Sequence, residues 1–399
     1  MAKCSTRVSI FALVVLIASC LGGAPRVLSQ NLTAPPTGVK QPIHGLVTMG
    51  QLSFNQKPGT LPNNSMEEIN AHPGIYSAAV INLLWSQLEP QEGVFDDSAL
   101  TSALANIASY NARYPATPVA AKLRINAGVG TPEWVMQLTG GPIEVAGETG
   151  TIQIGAFWTS PYKTAWRALQ AHLAAEYDSG STIAEVAISS CSSHTDEPFI
   201  IELDATSLAN MRQFGFNDAT YMACLSGAQD DYAAWVNTPL DFTFNQYRNS
   251  DGCTVSKPTS CLVANSAFTI QVMEAFRAAL GTSRAVVANH GLQVPLTTAA
   301  EAIYAEFQTL YSQAQAQTPP ATSPLELQTY NQSVDWNSTI ALGLTYHPTE
   351  IEIWDTVAAG GLAALSATQL QTWASELKSS SPQPSSPRRA LGRRPRSGH

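Results

Sequence analysis

The fold is decided by three consecutive segments, AAVINLL (residues 78–84), SALTSALANIASYN (98–111) and VAAKLRIN (119–126). The first and third are short apolar runs, which are typical of buried strands. In the second, Leu100, Leu104 and Ile107 recur at the spacing of one helix face. A strand, a helix and a second strand in this order predict a βαβ unit with parallel strands.

The same alternation continues over most of the 399 residues. It predicts eight strands, His44–Gly50, Ala78–Leu84, Val119–Asn126, Ile183–Ser190, Leu240–Asn245, Arg284–Asn289, Leu325–Thr329 and Glu350–Trp354. Helices are predicted over Ser98–Asn111, Thr164–Tyr177, Phe268–Leu280 and Thr298–Gln315, and over Asp218–Val236 in the long connection of residues 191–239. Eight such repeats match a single-domain α/β fold, the (β/α)8 TIM barrel. A doubly wound open sheet is the alternative, but no glycine fingerprint follows the first strand.

The two ends of the chain differ in charge from its middle. Residues 1–29 and 379–399 contain eight of the 21 basic residues and no acidic one, so 13 basic residues face 30 acidic ones between them. This acidic segment argues against a nucleic-acid partner, because nucleic-acid binding requires the opposite charge. The last 21 residues are rich in Ser, Pro and Arg, which predicts a disordered tail.

The N-terminus predicts an export signal. Lys3 and Arg7 precede an apolar run over residues 10–17 that is too short to span a bilayer. Cleavage after Ser29 suits an ordinary signal peptidase, whereas the four residues that end at Cys20 resemble a bacterial lipobox that would attach a lipid there. Both readings imply a periplasmic, extracellular or lipid-anchored protein, and no other run is long enough for a transmembrane helix. The predicted division is a signal peptide (1–29), a linker (30–41), the barrel (42–378) and the tail (379–399).

Four cysteines remain after export, and an oxidising compartment makes disulfides the expected state. Cys253 and Cys261 flank a short polar loop and are predicted to pair, which leaves Cys191 with Cys224. The alternative, a metal site, lacks any CxxC or HxxxH spacing. No P-loop is present either, so we expect neither a metal nor a cofactor.

Polar and aromatic side chains follow the predicted strands at their carboxyl ends, where barrel enzymes place their sites. The set is Asn82, Trp85, Arg124, Asn126, Trp134, His194, Asp196, Glu197, Asn245, Tyr247, Asn289, His290, Gln328, Tyr330, Glu352, Trp354 and Asp355. Indoles stack on pyranose faces, and carboxylates and amides pair with hydroxyls, so this set predicts a carbohydrate ligand. Any one of these residues alone fits better as a polar group at the edge of the core, and only their occurrence after seven of the strands favours a functional site.

The last two strands alternate in a way that assigns their faces. In LELQT (325–329) the leucines should face the helices, so that Glu326 and Gln328 point into the barrel. In EIEIW (350–354) the same rule turns Glu352 and Trp354 inward. A buried carboxylate is costly unless it is paired or functional. Glu352 is therefore predicted either to pair with a cation such as Arg124 or to be catalytic.

Three motifs resemble segments of glycoside hydrolases of the (β/α)8-barrel clan that includes β-galactosidases and endoglucanases. They are WSQLEPQEGVFD (85–96), LRINAG (123–128) with TPEWV (131–135), and Thr195-Asp196-Glu197-Pro198 after the fourth strand. The first two are mostly structural in character. The resemblance implies hydrolysis of an O-glycosyl bond by two carboxyl groups, with Glu197 as the proton donor. That role would need a raised pKa, which burial beside a tryptophan or the neighbouring Asp196 could provide.

Two positions depart from the clan pattern. Asp196 stands where the clan has Asn, and Gln328 occupies the strand-seven end that carries the clan's nucleophilic Glu. An amide cannot be that nucleophile. Either Glu352 or Asp355 supplies the second carboxylate, or the enzyme inverts, or the barrel only binds carbohydrate.

The hydrolase hypothesis assigns Glu197 and Glu352 to catalysis. It places Trp85, Trp134 and Trp354 as stacking walls, and Arg124, Asn126, His194, Asn289, His290 and Gln328 as further substrate contacts. A non-catalytic carbohydrate-binding barrel would use the same residues. A purely structural secreted protein is the third hypothesis.

Overall fold

The computed structural model describes residues 38–49, 63–147, 150–200, 203–253, 262–330, 335–354 and 365–380. The strands, numbered along the chain, are β1 Gly45–Met49, β2 Tyr76–Leu84, β3 Ala120–Asn126, β4 Ile143–Gly147, β5 Gly150–Ile154, β6 Ile183–Ala187, β7 Leu240–Thr243, β8 Arg248–Asn249, β9 Val263–Ala264, β10 Ala285–Leu292, β11 Leu325–Thr329 and β12 Glu350–Trp354. Eight of them form a closed parallel barrel in the order β1-β12-β11-β10-β7-β6-β3-β2. The predicted (β/α)8 TIM barrel is confirmed, and these eight strands are the predicted ones with ends shifted by a few residues.

Helices connect the barrel strands. They are α1 Asn63–Ala71, α2 Trp85–Leu88, α3 Ser98–Arg113, α4 Glu133–Leu138, α5 Ser160–Tyr177, α6 Ala205–Gln213, α7 Asp218–Ser226, α8 Ser266–Leu280, α9 Thr298–Gln315, α10 Trp336–Leu344 and α11 Ala367–Ser380. The single helix predicted over Asp218–Val236 is wrong in its second half. Helix α7 ends at Ser226, Gly227 follows, and a 3₁₀ helix covers Ala228–Tyr232. This break brings Asp231 to Arg167 of α5, with 2.8 Å between Oδ1 and Nε.

Two short antiparallel hairpins extend the connections that follow β3 and β7. Strand β4 pairs with β5, and β8 pairs with β9. Neither hairpin was predicted, because each consists of short strands without a buried partner sheet. Both lie on the side of the barrel where the carboxyl ends of the strands open.

The faces of β11 and β12 follow the predicted alternation. Leu327 and Ile351 belong to the apolar layer between the strands and the helices. Glu326 and Glu352 are buried on the other face, where Glu352 meets Arg124 of β3 across the barrel. The period of two therefore places charged side chains inside the barrel.

The barrel interior has an apolar part and a charged part. The apolar part is a small cluster of Ile43, Val47, Met49, Ala78 and Val80. In the charged part, Lys122 is fully buried, with its Nζ 2.6 Å from Asp241 and 3.0 Å from Glu350. Burial opposes the charge of Lys122, but the surrounding carboxylates raise its pKa well above the ordinary value. An ammonium ion inside a barrel persists only when paired in this way.

Several sequence predictions fall outside the described residues. They concern the signal peptide (1–29), the lipid site at Cys20, most of the linker, and the tail from residue 381 onward. The described end of the linker contacts the barrel, since the ammonium group of Lys40 donates to the carbonyl oxygen of Ile183 at 2.7 Å. Within the described ranges, no helix combines the length and hydrophobicity that a bilayer crossing requires.

Candidate active site

The segment that follows β6 carries Asp196 and Glu197 to the mouth of the barrel. Cys191 begins this segment with a positive φ of 69° and forms a disulfide with Cys224 of α7, as predicted. Farther along, the amide of Ile200 donates to the hydroxyl of Tyr221 at 2.7 Å. The segment is therefore attached to α7 on both sides of Glu197. Cys253 is also disulfide-bonded, but its predicted partner Cys261 lies outside the described residues.

Gly128, in the third-strand motif, allows this segment to pack closely against the loop after β3. A Cβ atom at position 128 would lie 2.2 Å from the carbonyl oxygen of Ser193, a distance that no side chain can adopt. The glycine is thus required by a backbone contact that also holds the segment before Glu197.

Glu197 is the central carboxylate of the mouth, with 15% of its side chain exposed. Its Oε1 lies 3.2 Å from Nδ1 of His290, and its Oε2 accepts a hydrogen bond from the amide of Asn245. Burial alone would raise the pKa of Glu197, but the hydrogen bonds from His290 and Asn245 and the charge of His290 lower it below the ordinary value. The expected raised pKa is therefore wrong. The carboxyl group is ionised, because its neighbours donate to it.

His290 of β10 is buried and uses both ring nitrogens within the protein. Besides Glu197 at Nδ1, its Nε2 lies 3.0 Å from the hydroxyl of Thr243 and 3.5 Å from Oε2 of Glu326. Burial lowers the pKa of His290, but Glu326 and Glu197 together raise it well above the ordinary value. No ring nitrogen is left for a ligand, so the predicted hydroxyl contact does not fit this position.

Arg124 of β3 contacts three polar side chains at the floor of the mouth. Its two terminal nitrogens each donate to one carboxylate oxygen of Glu352 at 2.9 Å. Its Nε lies 3.2 Å from Oδ2 of Asp196, and Nη1 donates to the side-chain oxygen of Gln328 at 3.4 Å. Arg124 and Glu352 are both buried. Of the two predicted alternatives for Glu352, this geometry supplies the salt bridge and leaves a catalytic role untested.

Three buried side-chain amides near the mouth have free hydrogen-bonding atoms. Both amide atoms of Asn82, the oxygen of Asn126 and the nitrogen of Gln328 have no partner among the residues that the structure describes. Asn289 is different, because its nitrogen donates to the Phe244 carbonyl at 2.9 Å and to the Asn245 side chain at 3.1 Å. Asn289 therefore orients Asn245, while the other three keep unsatisfied hydrogen-bonding atoms within the described part of the chain.

The three predicted stacking tryptophans occupy different environments. Trp85 is fully buried, packs edge-on against Trp166 at 4.9 Å and donates to Glu89 at 2.9 Å. It has no face open to a ligand, so we leave it out of the proposed site. Trp134 and Trp354 are partly exposed, and the indole of Trp134 donates to the carbonyl oxygen of Glu89 at 3.1 Å. Glu89 thus accepts hydrogen bonds from the tryptophans of both motifs, so the segment 85–96 has a structural function.

Three further predicted residues follow the fourth, fifth and eighth barrel strands. His194 is partly exposed, and its Nδ1 lies 3.1 Å from the hydroxyl of Ser193. Tyr247 is buried and its hydroxyl donates to Asp218 of α7 at 3.0 Å, so it supports the loop after β7. Asp355 lies outside the described residues.

One carboxylate cluster has the spacing of a metal site. Single oxygens of Glu185, Asp241 and Glu350 lie within 4.8 Å of one another. The ammonium group of Lys122 lies among them and is also 3.5 Å from Glu185. It supplies the positive charge that a metal ion would otherwise provide.

Glu326 is the residue of the site that sequence analysis placed in the barrel without giving it a role. It stands two positions before Gln328 and touches His290. The alternation in LELQT was the signal that turned it inward, but only the three-dimensional structure pairs it with a histidine from β10.

No protein-family model and no curated protein matches the chain. Solved structures do match it. Among them are a β-galactosidase from Rahnella sp. R3 (11% identity, 86% of this chain and 58% of that one, TM-score 0.46) and endoglycoceramidase II from Rhodococcus sp. (12%, 85% and 81%, 0.48). A triple mutant of the endo-β-1,4-glucanase from Xanthomonas axonopodis pv. citri matches over 84% of this chain and 100% of that one, at 10% identity and a TM-score of 0.45.

These similarities concern the fold of the chain. This chain spans only 58% of the length of the Rahnella β-galactosidase. With identities of 10–12% and TM-scores below 0.5, they assign no activity to it, and its function has to be inferred from its own side chains.

Proposed function

We propose that the barrel binds a carbohydrate at its mouth and hydrolyses a glycosidic bond, with Glu197 delivering the proton to the leaving oxygen. One observation carries the proposal: the partly exposed carboxylate of Glu197 is held by two hydrogen bonds in a mouth whose buried amides include atoms without a partner among the described residues. Unpartnered buried amides are costly unless a ligand satisfies them. Vicinal sugar hydroxyls, which both donate and accept, match Asn82, Asn126 and Gln328.

Glu352 is the proposed partner carboxylate. Its two side-chain oxygens accept hydrogen bonds from the guanidinium group of Arg124, and a carboxylate in this place would stabilise positive charge at the anomeric carbon. Trp354, at the end of β12, would stack on a sugar ring. Trp134 and His194 would line the outer part of the mouth.

A second candidate function is carbohydrate binding without hydrolysis. It is favoured by the complete burial of Glu352, whose two oxygens are both occupied by Arg124, and by the amide of Gln328 at the end of the seventh strand. In that case the mouth would hold the same ligand, and Glu352 would serve only as the partner of Arg124.

We also propose that the protein is exported. The disulfide between Cys191 and Cys224 supports an oxidising compartment. The signal peptide, with either cleavage after Ser29 or a lipid on Cys20, and the Cys253–Cys261 pair remain parts of this proposal.

Substitution of Glu197 by Gln tests the function. We expect turnover of a panel of aryl glycosides to fall by at least about 10²-fold, the usual contribution of a general acid, while oligosaccharide affinity measured by calorimetry changes little. Glu176→Gln, on the exposed face of α5, is the matched control and should keep full turnover. Wild-type protein that binds oligosaccharides but hydrolyses none of the panel would establish the second function. Absence of both binding and turnover would refute the two together.

A further inference from the structure

His290 lies between two carboxylates that come from different parts of the chain. Glu197 is supplied by the segment after β6 and contacts Nδ1 at 3.2 Å. Glu326 is supplied by β11 and lies 3.5 Å from Nε2. The imidazole therefore links the only proposed proton donor of the mouth to a carboxylate that is fully buried below it.

The charges around this ring favour its protonated form. Glu326 is 0% exposed, and neither of its oxygens has a hydrogen-bond partner within the described part of the chain other than the ion pair with His290. Arg124 opposes protonation of His290. Burial raises the pKa of Glu326, against the charges of Lys122 and His290, which lower it. The two carboxylates outweigh Arg124, which agrees with the raised pKa of His290 and the lowered pKa of Glu197.

This arrangement leaves Glu197 without the proton that its proposed role requires. An ionised carboxylate cannot act as a general acid until it receives a proton. The nearest proton is on Nδ1 of His290, already in a hydrogen bond to Glu197.

We infer that His290 holds the proton that Glu197 delivers, and that buried Glu326 keeps His290 charged for this purpose. The inference rests on the proposed hydrolase function. As the glycosidic C–O bond breaks, Glu197 passes a proton to the leaving oxygen and takes the Nδ1 proton of His290, which becomes neutral. Water then forms the new bond to the anomeric carbon, and the proton it releases returns to His290 through Glu197. The glycosidic bond and one water molecule are consumed, two hydroxyl groups are formed, and the protein regains its initial protonation.

His290 and Glu326 are thus positioning residues that act through Glu197. A purely structural role would predict that any variant that folds keeps the same dependence of turnover on pH. The relay predicts that removing the charge of Glu326 lowers the pKa of His290, so that the proton is lost at a lower pH.

The test is nuclear magnetic resonance of ¹⁵N-histidine-labelled full-length protein between pH 6 and 9. Comparison with His290→Asn assigns the His290 signals. We expect the wild-type ring to remain an imidazolium at pH values where a free imidazole is neutral, and to lose its proton at least one pH unit lower in Glu326→Gln. His172 is the internal control. Its Nε2 lies 3.0 Å from Oδ2 of Asp97, and its signals should be unchanged in Glu326→Gln.

Turnover, where the wild type shows it, should lose its alkaline limb at least one pH unit earlier in Glu326→Gln and fall by about 10²-fold in His290→Asn. A wild-type ring that is neutral at pH 7, or one unaffected by Glu326→Gln, overturns the inference whatever the activity. A charged ring in a protein with no turnover would instead refute the proposed hydrolysis and, with it, the delivery step. If His290→Asn does not fold, Glu326→Gln alone still gives both readouts.

Discussion

The pair of Arg124 and Glu352 offers the sharpest test of the barrel interior. Glu352→Gln keeps the shape of the side chain but removes its charge, and it turns one amide N–H₂ group toward the donors of Arg124. Arg124 is 1% exposed, and both of its bonds to Glu352 are 2.9 Å long. Asp196, at 3.2 Å from Nε, then remains as its nearest carboxylate.

Removing one partner of a buried ion pair costs about 3–5 kcal/mol, because the other charge stays buried without compensation. The retained Asp196 contact favours the lower part of that range. For roughly 300 folded residues, an unfolding entropy of about 2.1 cal/mol/K per residue converts this loss into a melting temperature lower by about 5–8 °C.

The assay is urea unfolding at pH 7, followed by fluorescence and by circular dichroism. Glu350→Gln is the matched control, since Glu350 is equally buried on the same strand. Burial and the neighbouring Glu185 raise the pKa of Glu350 well above its ordinary value, and Lys122 keeps Asp241 at 2.6 Å and Glu185 at 3.5 Å when Glu350 is replaced by Gln. We expect Glu350→Gln to cost no more than about 1 kcal/mol. Equal losses in the two variants would refute the assignment of Glu352 as the main partner of Arg124.

Three further predictions concern other parts of the chain. Replacing Cys191 and Cys224 by Ala opens a loop with a sequence separation of 33 and should lower the free energy of unfolding by about 3–4 kcal/mol. If wild type and variant still differ by this amount in reducing buffer, the disulfide is not the cause of the difference. Burial, followed by the neighbouring Glu274, raises the pKa of Glu306 to about 7, so wild-type stability should fall as pH rises between about 4.5 and 7. Glu306→Gln should accordingly be no more stable than wild type at pH 4 and more stable at pH 8, and equal effects in urea unfolding at both pH values would exclude the shift. Trp354→Ala should weaken oligosaccharide binding about tenfold in calorimetry, whereas an unchanged dissociation constant would remove this indole from the site.

Local patterns in the sequence were sufficient to predict the barrel. Alternating strands and helices carry their periodicity within ten to twenty residues, so no distant contact is needed to recognise them. The strands Leu325–Thr329 and Glu350–Trp354 were predicted to the residue, and their period of two also assigned the inward carboxylates. The end of α7 was missed because the turn at Gly227 depends on Asp231 reaching Arg167 and Lys163 of another helix.

The candidate site was predicted as a set of residues but not as a set of interactions. Position at a strand end indicated Glu197, Glu352 and His290, and the same rule placed Trp85 there, although its indole packs into the core. Sequence position cannot report which way a side chain leaves the strand end when a short helix such as α2 begins at that residue.

Periodicity within short segments is enough to predict the barrel and the polar residues around its mouth. The contacts that those residues make with one another follow only from the folded chain. His290 and Glu197 are 93 residues apart, and Lys122 and Glu350 are 228 apart. The energy of a charge depends on the groups within a few ångströms of it, and closure of the barrel alone brings those groups together.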